Sequence, residues 1–248
     1  MSIVWERLAA GSHYQVRRAG GSLRLYTNGV LHSQYNPARP LTGSVWDLLM
    51  LPAFLLPPGA VRRVLVLGIG GGAVIRLLHH FVEPQEIVGV ELNPVHLQIA
   101  RRFFRLRGAY LSLVNADAEQ WLRGYRGTPF DMIVDDLFAE EAGQPVRAVS
   151  FTRRWGTLLL RNLLPGGVAV VNFPGRDQLA ACPLLSDQKL RAAFACAFRL
   201  STVQNDNAVG AFCRAPATPR RLRERLARTP GLQSRRSRPH YRIRTLVR

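Results

Sequence analysis

At 248 residues and 47% hydrophobic, the chain has enough apolar surface for one large core, or for one core plus a small lobe. Its net charge is +18, carried almost wholly by arginine because Lys189 is the only lysine, and no stretch approaches the roughly 18 apolar residues of a membrane helix. Cys182, Cys196 and Cys213 fit no disulfide framework or metal spacing, and the first ten residues carry Glu6 and Arg7 in place of an apolar signal core, so the sequence predicts a cytoplasmic protein with reduced thiols and no metal.

Residues 1–43 predict a small N-terminal β lobe. Its signals are turns at Gly20-Gly21 and Asn28-Gly29, the latter a strong hairpin sign between apolar-rich stretches. Asn36-Pro37 and Arg39-Pro40 mark a loop, and Ser44 to Leu56 predicts a helix ended by Pro57-Pro58-Gly59. Residues 44–215 then alternate strand and helix patterns. Strands are predicted at 64–67, 87–91, 111–114, 130–135 and 168–173, and helices near 72–81, 94–104, 118–123, 151–164 and 187–197. A last pair, 199–204 and 208–213, forms an antiparallel hairpin across Asn205-Asp206-Asn207. The class is α/β, a Rossmann-like parallel sheet with an antiparallel C-terminal hairpin. Residues 216–248 predict a basic helix at 218–227 and a loose tail from Gln233. From Arg214 to Arg248 twelve arginines stand against one acid, Glu224. Such a segment suits nucleic acid or an anionic surface. No aromatic ladder, zinc module or helix-turn-helix accompanies it, so a solvated basic face is expected, with neither nucleic acid nor membrane as a partner.

The run from Val64 to Ala73 is a buried-strand pattern that breaks into Gly68, Gly70, Gly71 and Gly72 and then opens a helix. Glycine permits a tight turn and close approach of a ligand to the backbone. The helix that follows aims its first N–H groups and positive dipole end at that point, which makes a nucleotide-cofactor turn. Ligands of open α/β sheets lie beyond the carboxyl ends of the strands. Those ends carry Glu91-Leu92, Asp117-Ala118 and Asp135-Asp136. A carboxylate at Glu91 can accept both hydroxyls of a ribose, Asp117 can accept an adenine amino group, and Asp135 falls where the reacting group would lie. On residues alone two alternatives stay open. The glycine turn also suits a nicotinamide dehydrogenase, and a strand-end carboxylate can simply cap the next helix.

Asn162 to Gly167 before an apolar strand, with the closing hairpin, resembles the class I S-adenosylmethionine methyltransferase sheet. From residue 13 to residue 215 the chain resembles, more narrowly, the spermidine synthase-like polyamine aminopropyltransferases, especially divergent bacterial members. The matching segments are Leu25 to His32, the glycine turn, Val90 to Pro94, Asn115 to Ala118, Phe130 to Phe138 and Phe151-Thr152. The departures bear on function. The family's turn carries an aspartate for the amine of decarboxylated S-adenosylmethionine, and Gly71 stands in its place. The family's Asp-x-x-Asp motif serves the attacking amine and the polyamine; Asp135 matches its first acid and Phe138 its second. His32 corresponds to a glutamine near the cofactor, and a Tyr-x-Glu segment is not recognisable in Ser44-Val45-Trp46-Asp47.

The resemblance implies a transferase that binds a sulfonium cofactor through Gly68, Gly70, Gly71, Gly72, Glu91, Leu92, Asp117, Ala118, Asp135 and His32, with Asp135 as the catalytic carboxylate. Two missing anions and a charge of +18 disfavour a polycationic substrate. Without an aspartate at 71, the helix N-terminus is free to take a methionine carboxylate. Methyl transfer from S-adenosylmethionine to a small-molecule acceptor is therefore the leading expectation. The alternative is aminopropyl transfer from decarboxylated S-adenosylmethionine, with Asp136, Glu140 and Glu141 rebuilding an acidic pocket. A non-catalytic nucleoside binder is the third. The family also implies a homodimer formed through the N-terminal lobe.

Overall fold

A computed structural model describes residues 1–141, 143–234 and 237–247. The chain opens with an antiparallel meander, β1 (Ser2–Ala9), β2 (Ser12–Ala19), β3 (Ser22–Thr27) and β4 (Val30–Tyr35), paired in chain order. Its first and third turns, Ala10-Gly11 and Asn28-Gly29, have positive φ at both residues, which the right-handed twist of a two-residue hairpin demands. Inward residues Tyr14, Val16 and Leu25 pack with Ile99 and Phe104, so the lobe shares a small core with the rest of the chain. α1 (Val45–Met50) follows and tightens into a 3-10 turn over Leu51–Leu55, at Pro52.

Alternation then begins: β5 (Arg63–Leu67), α2 (Ala73–Phe81), β6 (Glu86–Glu91), α3 (Pro94–Arg102), β7 (Leu111–Asn115), α4 (Ala118–Gly124) and β8 (Phe130–Asp135). β9 (Phe138–Glu141) and β10 (Gln144–Arg147) form a separate two-stranded hairpin. α5 (Arg153–Arg161), β11 (Leu163–Phe173), the short turns α6 (Arg176–Ala181), α7 (Pro183–Ser186) and α8 (Gln188–Arg191), β12 (Cys196–Ser201), β13 (Ala208–Cys213), α9 (Pro219–Arg228) and β14 (Arg242–Val247) complete the chain.

The main sheet runs in the order β14-β12-β13-β11-β8-β5-β6-β7. β11, β8, β5, β6 and β7 are parallel, and β13, β12 and β14 are antiparallel. Helices cover both faces. α1, α2 and α9 sit over one apolar cluster with Val64, Val66, Met132 and Val134, while α4 and α5 sit over the other with Leu65, Leu67 and Ile133. This is the Rossmann-like sheet with an antiparallel C-terminal end that the sequence predicts.

Four details depart from the sequence expectation. The helix predicted over 151–164 stops at Arg161, because Leu163 already pairs with Phe130. The helix predicted over 187–197 is broken into short turns, since Cys196 is the first residue of β12. The β9–β10 hairpin has no counterpart in the sequence reading. The tail expected to be loose from Gln233 contributes β14, which pairs antiparallel with β12 at the sheet edge. Its reason is alternation, with Arg242 and Arg244 outward and Ile243 inward. The arginines of α9 are also more than a solvated face. Leu222 and Leu226 are buried, and Arg225 and Arg221 donate to the carbonyls of Ala53 and Leu55 at 3.1 and 3.5 Å, satisfying the end of the 3-10 turn.

Candidate active site

The glycine turn between β5 and α2 is held by Glu91 at the end of β6. Its Oε2 accepts the N–H groups of Ile69 and Gly70, both at 2.9 Å, and its Oε1 accepts that of Asn93 at 2.9 Å. Gly68 and Gly70 have positive φ. A Cβ at Gly68 would strike the carbonyl of Asp136, and one at Gly70 would lie 2.6 Å from the carbonyl of His32. Backbone from three segments therefore meets at this turn, and only glycine fits.

Beside the turn is a cavity of about 480 Å³, within the range of small-molecule sites. Gly68, Gly70, Glu91, Leu92, Asp117, Ala118, His32, Asp136 and Glu140 line it, as the sequence predicts. Gly71, Gly72 and Asp135 do not. Gly71 packs against Ser33 and Phe104, and Gly72 against Leu106. The first N–H of α2, at Ala73, is taken by Ser33 Oγ at 3.1 Å. The expectation that this helix end would welcome a methionine carboxylate is therefore corrected, because Ser33 caps it from β4.

Charge in the cavity is one-sided. Glu91, Asp117, Asp136 and Glu140 line it, and among the described residues no arginine or lysine does. Its two histidines are neutral at pH 7, since burial pulls both His32 and His96 down to about 4. His96 bonds Thr27 Oγ1 at 2.8 Å, while His32 Nε2 is buried with no partner among the described residues. Asp117 caps α4 by accepting the Gln120 N–H at 2.8 Å, so the bland reading of that residue is realised alongside its place in the cavity wall. Glu140 accepts from Asn28 Nδ2 at 2.8 Å and ties the β9–β10 hairpin to the β3–β4 turn, forming a roof. Glu141 is exposed and is not in the lining.

The two acids at the end of β8 have opposite environments. Asp135 has no exposure; Arg147 donates to both its oxygens at 3.1 and 2.9 Å, and Trp155 Nε1 donates at 2.8 Å. Its carboxylate is spent on structure, on the α5 side of the sheet, which corrects its expected place beside the reacting groups. Asp136 faces the cavity. Burial pushes its carboxyl up to about 6, with the nearby charges of Asp135 and Glu91 acting the same way against the Asn172 hydrogen bond. Asn172 Nδ2 donates to Asp136 Oδ1 at 2.7 Å, and Asn207 Nδ2 donates to Asn172 Oδ1 at 3.0 Å. Asn172, Asn205, Asn207, His96 and Ser33 are site residues the sequence reading missed. Asn172 ends a strand just as Glu91 does, and that signal could have found it.

Residues 64–154 match the family model described as a methyltransferase domain. The polyamine aminopropyltransferase of Mycobacterium tuberculosis is 34% identical over 177 residues, 68% of this chain and 32% of the relative. That of Chromobacterium violaceum is 30% identical over 127 residues, 50% of this chain and 47% of the relative. The chain thus spans a third to a half of the length of these curated relatives. A crystal structure described as a probable spermidine synthase from Corynebacterium glutamicum superposes with a TM-score of 0.73 at 16% identity, covering 99% of this chain and 91% of that one. At that identity the likeness speaks for the fold alone.

Proposed function

From the premise that this chain is a spermidine synthase-like transferase, homologous to polyamine aminopropyltransferases and built on a methyltransferase-like fold, we propose that it transfers an aminopropyl group from decarboxylated S-adenosylmethionine to an amine. The observation that carries this reading is the one-sided charge of the cavity: four carboxylates line it, and among the described residues no arginine or lysine does. The methyl-transfer expectation leaned on the net charge of +18 and on Gly71. The positive charge lies outside the cavity, and Gly71 is packed away from it. A methionine carboxylate would meet like charges and a helix N-terminus already capped by Ser33. An ammonium would meet carboxylates. The relatives' printed names favour the same alternative.

The residues fit a nucleoside sulfonium. Gly68 and Gly70 leave the backbone open to close approach, Glu91 stands at the ribose position, and Asp117 with Leu92 and Ala118 stands at the base end. When bound, the sulfonium supplies an electrophilic methylene carbon. Asp136 holds the acceptor nitrogen and takes its surplus proton, a task suited to a carboxyl raised to about 6. Asn172 fixes the rotamer of Asp136 from below. The roof held by Glu140 and Asn28 excludes water and keeps the reactants in line.

The test compares thermal stabilisation by decarboxylated S-adenosylmethionine, S-adenosylmethionine and methylthioadenosine, with product analysis in the presence of amines. A ligand at 100 times its dissociation constant stabilises by about 2.7 kcal/mol, or roughly 5–10 °C for a chain of this size. The decarboxylated compound is expected to give the larger shift and an aminopropylated product. A larger shift with S-adenosylmethionine, together with a methylated product, would overturn the proposal.

A further inference from the structure

Asn205 sits in the loop between β12 and β13 and lines the same cavity as Asp136. Its side-chain oxygen is buried and has no hydrogen-bond partner among the described residues. Folded proteins rarely leave such an acceptor unpaired, and one that faces a binding cavity is poised for a donor from a ligand. The surrounding polar groups are already engaged. Asn207, two residues on, donates to Asn172, and Asn172 donates to Oδ1 of Asp136. This chain of bonds fixes the loop against the strand end. Oδ2 of Asp136 accepts no hydrogen bond among the described residues. The corner therefore presents two acceptors, Asp136 Oδ2 and Asn205 Oδ1, with no cation beside them in the lining.

We propose that Asn205 is a specificity residue that selects primary amines as acceptors, by taking the second N–H of the attacking nitrogen while Asp136 takes the first. This rests on the aminopropyl-transfer reading above. A neutral primary amine has two N–H groups and one lone pair. With both N–H groups held, the lone pair is left to attack. The nitrogen bonds to the methylene carbon beside sulfur and the carbon–sulfur bond breaks. Its electron pair stays on sulfur, neutral methylthioadenosine leaves, and the surplus proton passes from nitrogen to Asp136. A secondary amine has a single N–H, spends it on Asp136, and leaves the oxygen of Asn205 buried and unpaired. A site built to pair a group discriminates strongly against an analogue that lacks it.

The experiment measures kcat/KM for a primary amine and its N-methyl counterpart with decarboxylated S-adenosylmethionine, in the native chain and in Asn205→Ala and Asn205→Ser. The native chain should prefer the primary amine by about tenfold or more, in line with the cost of an unpaired buried acceptor. Asn205→Ala should lose most of that preference through the primary amine alone, with KM for the sulfonium unchanged, and Asn205→Ser should fall between. An unchanged preference in Asn205→Ala, or none in the native chain, overturns the inference. If the native chain aminopropylates no amine, the functional reading fails on its own account. Asn205 is then tested by calorimetric binding of the primary amine in the presence of methylthioadenosine. A weakening of about fivefold in Asn205→Ala supports its role, and equal affinity removes it.

Discussion

Asn172 donates its side-chain N–H to Asp136 at 2.7 Å, while its own main-chain carbonyl accepts from Arg147, the guanidinium that clamps Asp135. One residue of β11 thus separates two adjacent acids, one paired with a cation in the protein interior and one left to the cavity.

The separation gives the two acids different mutant behaviour. Asp136→Asn keeps the shape and the Asn172 neighbour but removes the proton acceptor. It should cut kcat by about 100-fold or more, the usual size of a general-base contribution, with little change in melting temperature. Asp135→Asn strands Arg147, whose side chain is 9% exposed. Breaking a buried pair from one side costs about 3–5 kcal/mol, so this variant should lose stability first and activity only as a consequence. Denaturant midpoints and steady-state turnover on both proteins decide it. Full activity in Asp136→Asn would remove that residue from the chemistry.

Activity should carry an acid limb set by the same group. Burial raises the Asp136 carboxyl to about 6, and only its ionised form accepts a proton. kcat/KM should therefore rise from pH 5 to pH 7 with a midpoint near 6 and flatten above. In Asp136→Asn the residual rate should lack that limb. A midpoint near 4 in the native chain would show that the carboxyl is not held in the environment described.

Much of the site was legible because it follows from topology. An apolar strand that ends in glycines, and carboxylates at the carboxyl ends of the neighbouring strands, mark a nucleotide crevice wherever the sheet is parallel. Gly68, Gly70, Glu91 and Asp117 were found that way. The choice between Asp135 and Asp136 was not legible. Successive residues of a strand face opposite sides, but β8 is apolar on both faces, Met132 and Val134 toward one cluster and Ile133 toward the other, so its parity left no trace in the pattern. The β9–β10 hairpin was hidden for a related reason: Phe138-Ala139-Glu140-Glu141 has no alternation to read. Net charge misled most. It is a property of the whole surface, and the cavity has the opposite sign.

Stability should fall in mild acid, because two histidines are buried uncharged. His32 and His96 are held down to about 4 by burial, below their unfolded value of about 6.5. Their contribution is present above 6.5 and is lost as the pH falls through 4, on the order of 1–2 kcal/mol each between pH 7 and pH 5. Asp136 acts in the opposite direction. Its raised folded value stabilises below its unfolded value and is lost as the pH rises through 6. With two groups against one, the net slope should favour pH 7. Urea midpoints at pH 7 and pH 5 test the balance, and His96→Gln, which preserves a partner for Thr27, should flatten the dependence. An identical dependence in that variant would clear His96 of the effect.

Restoring the family's aspartate at position 71 tests whether the turn has been rebuilt or merely stripped. A Cβ there would lie 2.8 Å from Ser33 Cβ, 2.9 Å from Ser33 Oγ and 3.2 Å from the ring of Phe104. Ser33 is fully buried and caps the N-terminus of α2, so it has little room to yield. Overpacking of this kind costs about 1–3 kcal/mol, which for this chain length lowers the melting temperature by roughly 2–10 °C. Gly71→Asp should therefore destabilise without improving KM for decarboxylated S-adenosylmethionine, and adding Ser33→Gly should recover part of the loss by clearing the contact. Calorimetry on the two variants, with KM for the sulfonium, separates the alternatives. An undiminished melting temperature with a lower KM would mean that the turn still has slack for the family's amine-binding acid. In that case Asp136 and Glu140 would not be what compensates for its loss.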